Sequence, residues 1–67
     1  MSQLVQTVTE VTKGAANMDA AKKALMDAYQ HLSPREAENT VQDILEFGQG
    51  KMKESELEHW LKERGLG

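Results

Sequence analysis

The sequence contains no cysteine, so neither a disulfide nor a thiolate-bound zinc site can stabilise a chain this short. Only one proline and three aromatic side chains (Tyr29, Phe47 and Trp60) occur. No run approaches the roughly 20 apolar residues needed to cross a bilayer. The start, Met1-Ser2-Gln3-Leu4-Val5-Gln6, lacks the basic and apolar pattern of an export signal, so the cytoplasm is the expected compartment. Neither charge sign dominates, since 8 basic residues stand against 11 acidic ones. That balance disfavours phosphate backbones and anionic membranes as partners. Disorder is disfavoured too, because large apolar residues run from Leu4 to Leu66.

What is present reads as helices. A fold of all-α class is predicted, a small bundle of three to four short helices in one domain over 1–67, with helices at about 2–13, 18–31, 34–47 and 56–64. In the first, Leu4, Val8, Val11 and Ala15 recur at spacings of 4, 3 and 4, a one-faced seam. The β-branched cluster Thr7, Val8, Thr9, Val11 and Thr12 would suit a strand, but strict alternation fails. Gly14 offers a stop. Asn17 is placed to cap the second helix, where Met18, Ala21, Leu25, Ala28 and Leu32 form the seam and Asp19 can pair with Lys23.

The third start has the strongest local signature. Ser33-Pro34-Arg35-Glu36 combines a capping serine, proline at the first helical position and glutamate three residues after the cap. Leu32 and Ala37 stand as a hydrophobic staple. Ala37, Val41, Ile44, Leu45 and Gly48 continue an inner stripe, which Gly48-Gln49-Gly50 ends by supplying positive-φ residues. A second capping box, Ser55 to Glu58, is expected to open the last helix, with Met52 before the cap, an acid-first Glu58–Lys62 pair and Gly65 at the end.

Candidates for chemistry are few. Of Ser2, Ser33 and Ser55, the last two are accounted for as caps, and His31 as a C-terminal residue of the second helix facing its dipole. No phosphate-binding glycine loop occurs. Glu56 and His59 form one Glu-x-x-His step, whereas a di-metal bundle needs two steps and further glutamates, which Glu36, Glu38 or Glu46 would have to supply in a symmetric dimer. Gly50, Met52 and Glu56 fit positions of a calcium loop, but Leu45, Phe47 and Gln49 occupy its acidic positions. The expectation is therefore a protein without catalytic, cofactor or metal residues.

Leu32-Ser33-Pro34-Arg35-Glu36-Ala37-Glu38 resembles the opening of the helix-turn-helix output domain of response regulators. The resemblance implies a scaffold helix followed by a glycine turn and a second helix, echoed here by Gly50 and Glu56-Leu57. The spacing is two to three residues longer than in that family, and the base-reading helix would begin only at Gly67. A nucleic-acid-binding regulator is accordingly the second functional expectation.

The first is a small cytoplasmic interaction module, an adaptor, inhibitor or regulatory subunit of the accessory kind found in bacteria and phage. It would bind a protein partner, or itself as a homodimer. The first helix is expected either to complete the bundle or to mediate dimerisation, and Trp60 to be either a core residue or an interface anchor. The partner-facing residues expected from the two amphipathic seams are Leu4, Val8 and Val11 on the first helix and Leu57, Trp60 and Leu61 on the last.

Overall fold

The computed structural model describes residues 2–67, which form four α-helices and no strand: α1 (Gln3–Thr12), α2 (Met18–Ala28), α3 (Pro34–Gly48) and α4 (Glu54–Glu63). Each start has a local cause. Ser2 caps α1 by accepting from the Val5 N–H at 3.0 Å, and Asn17 caps α2 by accepting from Ala20 at 2.8 Å. At α3 both halves of the capping box are made: Ser33 Oγ accepts from the Glu36 N–H at 3.1 Å, and Glu36 Oε1 accepts from the Ser33 N–H at 2.9 Å.

The last helix departs from expectation. It begins at Glu54, Lys53 is its cap residue without a side-chain bond, and Ser55 lies inside the first turn. Packing sets this register. Met52 now precedes the cap and Leu57 lies four residues beyond it, the two positions of a hydrophobic staple; Leu57 belongs to the core cluster and Met52 packs against it, partly buried. Glu54 and Glu56 face the positive end of the helix dipole. The Glu54 carboxylate also accepts from the Ser2 N–H, which joins the starts of α1 and α4.

Two helix ends share one device. Gly50 and Gly65 adopt φ of 77° and 74°. After α3, the Lys51 N–H donates to the Glu46 carbonyl and the Gly50 N–H to that of Phe47; after α4, Leu66 donates to Leu61 and Gly65 to Lys62. These are Schellman closures, which satisfy carbonyls left open at a helix end. The second buries Leu66 with Leu61. Gly48, by contrast, remains helical and has no positive φ. The second helix is shorter than predicted, ending at Ala28 because Tyr29 leaves helical geometry at φ −128° and ψ 84°. Ala28 is exposed, and Leu32 enters the core from the corner beyond the helix.

The four helices close a ring in which α2 packs on α1 and α3, and α4 packs on the same two. Val5, Val8, Ala21, Leu25, Leu32, Ala37, Val41, Leu57, Leu61 and Leu66 fill its centre. The first helix thus completes the bundle, through Val5 as well as Val8. On α3, Thr40 is wholly buried while Leu45, expected on the inner stripe, is 51% exposed. The total accessible surface of 4333 Å² compares with about 4,200 Å² for a folded monomer of this mass. The core is therefore closed by the chain itself. Among the described residues no helix is long and apolar enough to cross a membrane.

Candidate functional site

The six residues expected to face a partner divide into two groups. Val8, Leu57 and Leu61 are fully buried, and Leu4 and Val11 are half-buried against the same core. Those five hold the bundle together, so α1 takes the first of its two expected roles, completing the bundle, and leaves no free stripe for dimerisation: Val5 and Val8 are both buried where α1 packs on α2 and α4. Trp60 alone remains at the surface, 41% exposed.

The indole of Trp60 is held from two sides. The Arg64 guanidinium carbon lies 5.9 Å from the ring centroid, and the His59 imidazole meets it edge-on at 5.0 Å. Arg64 is itself fixed by α3, since its Nη1 donates to Thr40 Oγ1 at 3.1 Å and lies 2.8 Å from Asp43 Oδ2. The Asp43 contact is off the line of the N–H bonds, so its attraction is coulombic. Thr40 Oγ1 donates in turn to the Glu36 carbonyl at 2.8 Å. The Arg64 carbonyl accepts from His31 Nε2 at 3.0 Å. His31 therefore serves the end of α4, not of α2 as its position in sequence suggested, because α2 has already terminated. A Cβ on Gly65 would come within 3.1 Å of that imidazole nitrogen, so a side chain there would push His31 aside by a few tenths of an ångström as well as strain a positive φ.

This polar cluster was not anticipated. Its signal was present: Glu36, Thr40, Asp43 and Phe47 lie on one stripe of α3 at spacings of 4, 3 and 4, and the stripe points at α4. An apolar reading of α3 passes over it because two of its four members are charged.

A separate feature lies on the opposite side of α3. Thr12, Ala15, Ala16, Asn17, Met18, Ala21, Val41 and Leu45 line an open groove of about 270 Å³ where the α1–α2 connection crosses α3. The alanines leave the space, and the exposed Leu45 forms its rim. Beyond the groove, Lys22 Nζ pairs with Glu38 at 3.5 Å across α2 and α3. The Glu58–Lys62 pair forms at 3.7 Å, whereas Asp19 and Lys23 do not approach to ion-pair distance. Among the described residues no third acidic or imidazole side chain joins Glu56 and His59 into a metal-binding group.

Charge is distributed unevenly. In α3, Glu36, Glu38, Asp43 and Glu46 stand against Arg35, and in α4, Glu54, Glu56, Glu58 and Glu63 stand against Lys62, whereas the acids and bases of α2 balance. Glu36 has a task within the fold. The Ser33 backbone N–H first, then the Ser33 side chain, hold its carboxyl below the ordinary glutamate range. With a lowered folded-state pKa, the stabilisation is complete above the ordinary range and is lost as the pH falls through the lowered value. Glu36→Gln is accordingly expected to reduce the loss of stability on acidification, measured by urea melts from about pH 6 down to about pH 2.

Compared with known protein families, curated proteins and solved structures, the chain matches none.

Proposed function

We propose that this protein is a small non-catalytic interaction module, acting in the cytoplasm as an adaptor, inhibitor or regulatory subunit by occupying a protein partner's surface. One observation carries the reading. A bundle whose core is already closed still holds two large apolar side chains in water, Leu45 and Trp60, at 51% and 41% exposure. Neither is required to seal the core, and aromatic side chains held in this way are the usual anchors of interfaces. The closed surface also alters the expectation of self-association: a second copy would add an interface to a finished fold, not complete an unfinished one.

The helix-turn-helix alternative has less support. The connection between α3 and α4 spans five residues, 49–53, against the three to four of that motif. Both helices carry net negative charge, opposite to the footprint of a phosphate backbone.

The test is affinity capture from the native extract with the wild-type protein, Leu45→Asp and Trp60→Ala, each checked by thermal melting. A partner retained by the wild type and lost by one folded variant is expected; capture that survives both would overturn the reading. Sedimentation equilibrium over about a hundredfold concentration range separates a second copy from a different protein as occupant.

A further inference from the structure

Trp60 stands on a helix face flanked by carboxylates that make no ion pair within the molecule. Glu56 and Glu63 lie four residues before and three after it, the spacing of neighbours on one helix face. Across the α3–α4 seam, Asp43 is taken by Arg64, and Glu46 follows three residues later on α3. Among the described residues, no cation comes within ion-pair distance of Glu46, Glu56 or Glu63, although Glu10, Glu38, Asp43 and Glu58 each have one. Of the cations nearest in sequence, Lys62 and Arg64 flank Glu63 but pair with Glu58 and Asp43, while Lys51 and Lys53, five residues after Glu46 and three before Glu56, form no ion pair with them. Arg64, fixed through Thr40 and Asp43, faces the Trp60 indole and flanks one side of it.

We infer that the α3–α4 face centred on Trp60 is a docking surface for a basic amphipathic segment of another protein, which sets an apolar side chain against the indole and lysines or arginines against Glu46, Glu56 and Glu63. This rests on the interaction-module reading and gives it a partner chemistry. Three physical terms point the same way. An indole ring attracts a cation over its open face. Unneutralised carboxylates around an apolar anchor favour a partner of opposite charge and raise its rate of encounter. Holding the anchor in place beforehand lowers the entropy lost on binding. The groove beside Leu45 has apolar walls but no comparable ring of free charge, so it specifies no partner chemistry.

Trp60 is the sole tryptophan, so its emission reports directly on the site. The probes are a synthetic peptide of leucine and lysine patterned for one apolar helix face, and the same peptide with glutamate in place of lysine. The lysine peptide should shift Trp60 emission to the blue and saturate at low salt. Its affinity should fall at least tenfold between about 0.05 and about 0.5 M salt, and the glutamate peptide should give no shift. Glu56→Lys with Glu63→Lys should weaken binding at least tenfold without lowering the melting temperature. Asp19→Lys with Asp27→Lys, an equal change of charge on exposed positions of α2, should leave binding within about twofold of wild type. Equal weakening by the two double variants would overturn the inference by reducing it to net charge. Binding of both peptides alike, or saturation without an emission change, would also overturn it. A partner captured from extract and lost with Leu45→Asp would leave the module reading intact while this inference failed.

Discussion

Truncating Leu57 to alanine is expected to remove about 2–5 kcal/mol of folding stability, the range found for fully buried leucines. A chain of this length has only about 3–10 kcal/mol in total, so Leu57→Ala should be substantially unfolded near room temperature or sit close to it. Leu57 is wholly buried, lies four residues into α4 and packs in the cluster that also receives Met52, Leu61 and Leu66. A cavity there has helices on every side and little freedom to collapse. Trp60→Ala, three residues on, should cost about 1 kcal/mol, since part of the indole already faces water and what is lost is partial burial and a cation–π contact. Urea melts with a common slope check the contrast: a midpoint shift at Trp60 as large as that at Leu57 would return Trp60 to the core and remove the basis of the docking surface.

That contrast marks what the sequence made legible. The all-α fold, the four helices and the α3 capping box followed from periodicity and from Ser33, Pro34 and Glu36, because both are local: each depends on residues within one turn. The ends at Gly50 and Gly65 were legible for the same reason. The start of α4 was misplaced because two local signals competed. Ser55 with Glu58 is a valid capping box by spacing, but it would have put Met52 three residues from the cap and out of reach of the staple position. Burial of Met52 against the core outweighs a cap of about 1 kcal/mol. Whether α1 completes the bundle or mediates dimerisation was left open by the sequence, and Val5 decides it. A seam counted from Leu4, Val8 and Val11 looks narrow, yet Val5 and Val8 together are wide enough for burial between two neighbours. Which face of a short helix is used depends on what lies beside it, and α2 and α4 are remote in sequence from that choice. Whether Trp60 lies in the core or at an interface stayed open for a related reason: only the structure shows that Leu57 and Leu61 fill the seam and that the indole is turned outward over Arg64.

Arg64 is the residue whose replacement should reach furthest through the structure. Its side chain is 14% exposed and that of Asp43 17%, so removing either leaves a largely buried charge without its partner. The expected cost of Arg64→Ala or Asp43→Ala is about 2–4 kcal/mol, toward the lower end of the range for broken buried pairs because some solvent reaches both groups. The double variant should cost less than the sum of the two by at least about 1 kcal/mol, since the second removal relieves the charge stranded by the first. Thr40→Val keeps the shape but deletes the hydroxyl that accepts from Arg64 Nη1 and donates to the Glu36 carbonyl; about 1 kcal/mol is expected there. Arg64→Lys should recover little of the Arg64→Ala loss, because a single ammonium cannot meet Thr40, Asp43 and the indole face with the geometry of a planar guanidinium. The melts have a counterpart in Trp60 emission, which should change for Arg64→Lys in the folded state as the ring loses the group that holds it. Additive losses at Arg64 and Asp43 would mean that the 2.8 Å approach contributes no coupling. Arg64 would then be held against the indole through Thr40 alone.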